Sequence, residues 1–195
     1  LKWYQEHDPE KHAKGKNPRL YRTVAPSPSG RGEGEGAWRL TTSEKKRILL
    51  NNIYGVDIDP QAVEVTKLSL LLKVLEGENA ETLVKHLKLF HDRALPDLGD
   101  NIKCGNSLIG PDFYEDKQLS LLDEEERYRI NAFDWEAEFP EIMQAGGFDV
   151  VIGNPPWGAA LNSEARKYLS SCFSQVADYE SSQYFLMKSI ELAKQ

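Results

Sequence analysis

Residues 148–158 run an apolar stretch, Phe148-Asp149-Val150-Val151-Ile152, into Gly153-Asn154-Pro155-Pro156-Trp157-Gly158. A side-chain amide, two prolines and an indole in succession could grip a flat, hydrogen-bonding ligand. The prolines fix φ and push Asn154 into an extended conformation, so its amide is held stiffly at the end of the apolar stretch. Trp157 adds a planar apolar face, and Gly153 and Gly158 let the backbone come close to whatever docks there. Open α/β sheets bind ligands at the carboxyl ends of their strands, and residues 148–152 read as such a strand. The plainer reading is a strand, a Pro-rich turn and a packing Trp, since Asn-Pro alone opens many turns.

The elements that would position these residues lie upstream. Ile53-Tyr54-Gly55-Val56-Asp57-Ile58-Asp59-Pro60 reads as a short buried strand ending in acids. Residues 61–75 then place Ala62, Val65, Leu68, Leu71, Leu72 and Leu75 at helical spacing. Asp59 is the expected N-cap, with Pro60 at the first helical position. An acid at the end of the second strand of a nucleotide-binding α/β unit is well placed to accept both hydroxyls of a ribose. The alternative for Asp57 is a strand-end acid that caps the helix. A third segment, Asn101-Ile102-Lys103-Cys104-Gly105-Asn106-Ser107-Leu108, reads as a strand running into polar residues.

Together these segments resemble the S-adenosylmethionine-dependent amino-methyltransferases, above all the N6-adenine DNA methyltransferases of restriction-modification systems. The stretch Ile48-Leu49-Leu50-Asn51-Asn52 through Asp57-Ile58-Asp59-Pro60-Gln61-Ala62-Val63-Glu64-Val65, followed by Gly105-Asn106-Ser107-Leu108, resembles the large bacterial and archaeal proteins that join methylase, specificity module and often nuclease. The resemblance implies that Asn154 Oδ1 and the Pro155 carbonyl accept the two N–H bonds of an exocyclic amine, while Trp157 stacks on a base swung out of the duplex. Pro156 completes that catalytic set. Asp57 would hold the cofactor ribose and Ile58 would lie against the adenine. Asn106, with Ser107 beside it, would read the adenine amine; many relatives carry Asp there, and Asn brings no charge. The implied partners are S-adenosylmethionine and double-stranded DNA with a flipped adenine. Enzymes methylating guanine N2 in ribosomal RNA or a glutamine in release factors share the Asn-Pro-Pro-aromatic signature, and a non-catalytic remnant is the alternative of another class.

One expected part is missing: the family's first motif, a strand and a Gly-x-Gly turn, should precede Asp57. No convincing strand is expected before residue 48. Gly30-Arg31-Gly32-Glu33-Gly34-Glu35-Gly36 follows Ala25-Pro26-Ser27-Pro28-Ser29, carries two carboxylates and opens no apolar helix, so it reads as a variable loop. The expected organisation is a polar linker over residues 1–47 and a partial catalytic domain over residues 48–195, with an acidic surface insertion near 111–141. The expected fold class is α/β, a partial Rossmann-like methyltransferase with a mostly parallel sheet lacking its first, central strand. Its strands are expected near 48–57, 101–104 and 148–152, with helices near 61–75 and 183–193. Such a slice would need the missing N- and C-terminal parts of the same protein.

Hydrophobic content of 40% in 195 residues is enough for an ordinary globular core, which excludes a disordered chain. No apolar run is long enough to span a bilayer, and a cytoplasmic enzyme is expected. A net charge of -7 argues against a strongly DNA-neutralising surface. Residues 1–50 nonetheless hold eleven Lys and Arg against six Asp and Glu, and Asp123-Glu124-Glu125-Glu126 forms the acidic counterpart. Cys104 and Cys172 lack zinc-type spacing and read as small buried fillers; His7, His12, His86 and His91 carry no ligand pattern, so no metal is expected.

Overall fold

The computed structural model describes residues 1–23, 25–26, 33–34, 36–77, 96–115, 124–156, 161–176 and 180–194. Two compact units are formed, residues 1–55 with 64–102 and residues 56–63 with 103–195.

The first unit opens with helices α1 (Lys2–Glu6) and α2 (Pro9–His12). Strand β1 (Leu20–Arg22) pairs antiparallel with β4 (Trp38–Leu40), and β2 (Ala25–Pro26) with β3 (Glu33–Gly34). Residues 1–47, expected to be a strandless polar linker, thus carry helices and two strand ladders. Of the glycine-rich run expected to be a variable loop, Gly30, Arg31, Gly32 and Glu35 lie outside the described residues. The helix that follows β4 is tied to α1 through charge: Tyr4 OH donates to Glu44 Oε1 at 2.5 Å, and Arg47 donates to both Glu44 oxygens at 2.7 and 2.9 Å. The Arg47 guanidinium holds the buried Glu44 carboxyl below the usual carboxylate range. Among the described residues, Tyr4, Leu20, Leu49, Val74, Leu98 and Ile102 are the buried apolar residues of this unit.

Helix α3 (Thr42–Asn52) corrects the strand expected to start at residue 48. Ile48-Leu49-Leu50 is an apolar run too short for periodicity to tell helix from strand. Thr41 decides it, since its hydroxyl accepts the Glu44 N–H at 3.3 Å in a Thr-x-x-Glu cap. The buried Asn101 side-chain amide closes the other end by donating to the carbonyls of Leu50 and Ile53 at 2.9 Å each. These are the carbonyls a helix end leaves unpaired. Only β5 (Gly55–Asp57) remains as strand.

Strand β5 pairs with β6 (Ile102–Cys104). The Gly55 N–H donates to the Asn101 carbonyl and the Gly105 N–H to the Asp57 carbonyl, both at 2.9 Å, which is the slanted pattern of a parallel pair. The crossover between the strands begins with α4 (Pro60–Leu75), the expected helix. Among the described residues the chain is therefore mixed α/β with small sheets, one of them parallel.

The second unit continues through a 3-10 turn at Pro111–Tyr114 and helices α5 (Glu124–Ile130), α6 (Trp135–Glu138), α7 (Pro140–Gln144), α8 (Ser163–Cys172) and α9 (Ser181–Leu192). Its core joins Leu108, Ile109, Phe113 and Ile130 to Ala165, Leu169, Phe173 and Tyr184. Each such large side chain contributes roughly 1.5–3 kcal/mol of burial. Phe113 and Ile130, with Phe133 and Phe139 nearby, come from the region expected to be a surface insertion, so that region also builds core. Glu124 and Glu125 do remain exposed.

The strand expected at residues 148–152 is a strand only at its start. Phe148 bridges to Ala193 in parallel, and the Phe148 N–H donates to the Leu192 carbonyl at 2.8 Å. Beyond it, Val150 is 75% and Ile152 is 90% exposed, and residues 149–156 have no regular structure. An extended segment becomes a strand only where a neighbour takes its backbone hydrogen bonds. The two cysteines also depart from expectation, both being exposed.

Candidate active site

The expected cofactor residues are all in the second unit, at one end of the parallel pair. Asp57 is the last residue of β5, and its carbonyl receives the Gly105 N–H, which sets Asp57-Ile58 and Asn106-Ser107 side by side at the carboxyl ends of neighbouring strands. Paired strands run about 4.8 Å apart, so a ligand of nucleoside size touches both. The Asp57 side chain is exposed, and its Oδ1 accepts the Asp59 N–H at 2.9 Å, which aims the carboxylate while leaving acceptor capacity free. Asp59 accepts the Gln61 N–H at 2.8 Å and is the cap of α4. Ile58 is 50% exposed and presents an apolar face beside the carboxylate. Cys104 lies just behind, its thiol donating to the Ile58 carbonyl at 3.6 Å.

Asn106 is held more tightly. Its N–H donates to the Asn131 carbonyl at 2.6 Å, and its Oδ1 accepts the Leu108 N–H at 3.1 Å. One lone pair of that oxygen and the two amide N–H groups are left for a ligand. The Ser107 carbonyl accepts the Trp135 indole N–H at 3.1 Å. Trp135 in turn stands in an aromatic cluster, with ring centroids 5.2 Å from Phe133, 5.8 Å from Phe139 and 5.9 Å from Phe148. Gly105 is required by close approach: a Cβ there would come within 2.3 Å of the Phe133 ring.

A cavity of about 260 Å³ opens beside Ser107, with Asp112, Trp135, Tyr168, Cys172 and Lys188 in its wall. Its polar groups already satisfy one another. Tyr168 OH donates to Asp112 Oδ1 at 2.7 Å, and Lys188 meets Glu191 at 3.2 Å. Burial and the Asp112 carboxylate push the Tyr168 phenol well above its ordinary value, so it stays a donor.

Asn154 is exposed, and Pro155 is half-buried. No hydrogen bond among the described residues occupies the Asn154 amide. Trp157 lies outside the described residues, as do His86 and His91. Among the described residues no hydrogen bond or ring contact joins Asn154 to Asp57 or Asn106. Lys194 pairs with Asp149 at 2.8 Å just before the turn, which lowers the Asp149 carboxyl below its ordinary value. The first unit places His7 flat on Trp3, with ring centroids 4.4 Å apart.

Three supporting residues were not anticipated from sequence. Asn101 closes α3, Trp135 props the Ser107 carbonyl, and Ser181 donates to the Pro156 carbonyl at 2.8 Å. Only Trp135 carried a signal, as one of four aromatics at positions 133, 135, 139 and 148.

The family model described as "Eco57I restriction-modification methylase" matches residues 51–195. The chain is 34% identical over 171 residues to "Type II restriction enzyme and methyltransferase RM.Eco57I" of Escherichia coli, covering 83% of the chain and 15% of that protein. It is 30% identical over 165 residues to "Adenine-specific methyltransferase PglX" of Streptomyces coelicolor, covering 83% of the chain and 13% of that protein. The chain thus spans under a sixth of the length of these relatives. No solved structure matches it, and no helix among the described residues is long and apolar enough to cross a membrane.

Proposed function

The chain belongs to the Eco57I restriction-modification methylase family, and from that premise we propose that it carries the catalytic centre for methylating the N6 amine of adenine in double-stranded DNA. S-adenosylmethionine supplies the electrophilic methyl group. The observation that carries the reading is the exposed Asn154 amide on a proline-stiffened turn, a donor–acceptor pair with nothing in the described structure to satisfy it. The relatives named as methyltransferases, one of them adenine-specific, support it.

In this scheme Asn154 Oδ1 and the Pro155 carbonyl accept the two N–H bonds of the adenine amine. That amine is a weak nucleophile because its lone pair is delocalised into the ring. Acceptors placed out of the ring plane favour a pyramidal nitrogen, so they bind the transition state better than the ground state. With the cofactor bound, the methyl group it would supply could be taken by that nitrogen, whose surplus proton would pass to water. Trp157 stacks on the extruded base, repaying part of the unstacking cost. Asp57 holds the ribose hydroxyls, Ile58 lies on the cofactor's adenine, and Asn106 with Ser107 borders its amine. The exposed carboxylate, apolar face and free amide at adjoining strand ends fit a ribose and a purine. The Rossmann-like sheet, the flipped adenine, the remaining parts of the protein and a cytoplasmic setting belong to the same proposal.

The test is tritiated-methyl transfer by the full-length protein to unmethylated DNA, ribosomal RNA and release factor. Transfer to DNA alone is expected. Asn154→Ala is expected to lower that transfer about 100- to 1,000-fold, on the order of losing a preorganised transition-state contact, with cofactor affinity unchanged. Preferential labelling of RNA or release factor, or collapse of cofactor affinity in Asn154→Ala, would refute it.

A further inference from the structure

The Asn154-Pro155-Pro156 turn is poor in backbone donors, because neither proline has an N–H. Among the described residues, one hydrogen bond reaches the stretch from Val150 to Pro156: the Ser181 hydroxyl donates to the Pro156 carbonyl at 2.8 Å. Ser181 is the first residue of α9 and only 2% exposed. A serine at a helix start ordinarily serves as the N-cap, its oxygen accepting a free N–H of its own helix. Here Glu180 is the N-cap and no side chain caps the helix, while the Ser181 hydroxyl crosses to a carbonyl 25 residues upstream. Burying a hydroxyl without a partner is costly, so that carbonyl is what satisfies it. Helix α9 is itself a firm post, since Tyr184 and Leu192 anchor it in buried surroundings.

We propose that Ser181 is a positioning residue for methyl transfer: by tethering the Pro156 carbonyl to α9, it sets the direction in which the Asn154 amide and the Pro155 carbonyl face the amine. This rests on the role given to Asn154 above. The prolines make the turn stiff, but stiffness alone leaves the whole turn free to swing about Gly153. The tether removes that freedom. Misplacing a reacting group by about 1 Å can cost 100-fold, and one neutral hydrogen bond restrains a smaller displacement than that.

In the full-length protein, Ser181→Ala is expected to lower kcat for transfer to DNA about tenfold. KM for DNA, cofactor affinity by calorimetry and melting temperature are expected to stay near wild type. Ser181→Thr keeps a hydroxyl and is expected to restore most of the rate. If the alanine variant fails to fold, Ser181→Cys, similar in volume with a weak donor, takes its place. Wild-type kcat in the variant lacking the hydroxyl overturns the proposal. So does a loss of cofactor affinity and melting temperature in step with rate that Ser181→Thr does not repair. Asn154→Ala measured alongside separates the layers. If it transfers normally, the amide's role falls and Ser181's with it; if it is inactive while Ser181→Ala is wild type, only the tether falls.

Discussion

The two halves of the candidate site are held in different ways. At the ends of β5 and β6, Asp57, Gly105, Asn106 and Ser107 are fixed by backbone hydrogen bonds and by aromatic packing against Phe133 and Trp135. Before the Asn154 turn the backbone ladder stops at Phe148, and the turn itself depends on two prolines and the Ser181 hydroxyl. The difference matches the work proposed for each half. A cofactor pocket must recognise a rigid nucleoside and gains from a preformed wall, whereas a turn that receives an extruded base must leave its polar edge uncommitted. A donor–acceptor pair already satisfied by the protein could not take the amine's N–H bonds.

This contrast can be broken most severely at Gly105. A methyl group there would meet the Phe133 side chain, itself buried, at 2.3–2.9 Å. Overpacking of this kind costs about 1–3 kcal/mol, and Gly105→Ala is expected near the upper limit, lowering the melting temperature by roughly 6–10 °C and cofactor affinity with it. Thermal melting with calorimetry checks this; unchanged values would mean the wall beside Asn106 is not close-packed. Asp57→Ala comes next. Losing a charged hydrogen-bond acceptor is expected to weaken cofactor binding by about 1.5–3 kcal/mol, roughly 10- to 150-fold, with the fold intact. Unchanged affinity would remove Asp57 from the site and leave it only as the acceptor of the Asp59 N–H.

How much of the fold and the site is legible in the chain depends on how local each cause is. Helix α4 is set by Asp59-Pro60 and a helical apolar spacing, and α9 by the spacing of Tyr184, Phe185 and Ile190. Helix α3 is easily mistaken for strand because Ile48-Leu49-Leu50 suits either structure, while its deciding signal, Thr41 with Glu44, begins seven residues earlier. Trp135 reads as part of a surface insertion because flanking acids dominate its neighbourhood, yet rings at 133, 139 and 148 surround it. Asn154 is exposed on the turn where Pro155 and Pro156 follow it. Nothing local marks Ser181 as the partner of a carbonyl 25 positions away, because a serine beside a helix start reads as an ordinary cap.

The smallest effect is expected at Asp149, and it separates the tether from mere attachment of the same segment. Asp149 meets Lys194 at 2.8 Å next to the Phe148 bridge, so a salt link and the Ser181 bond both fasten the approach to Asn154. The Asp149 side chain is largely in water, where ion pairs are screened and worth little. Its carboxyl titrates below the ordinary value because Lys194 stabilises the charged form, so the pair is fully present above the usual Asp range and fades only as pH falls through that lowered value. Near neutral pH it is intact and still contributes little. Asp149→Asn is therefore expected to leave kcat within about twofold of wild type and the rate's dependence on pH unchanged above about pH 5. A tenfold loss, equal to that expected for Ser181→Ala, would show that any fastening of the segment governs transfer. The turn would then be steered from the Phe148 side, not from the N-terminus of α9.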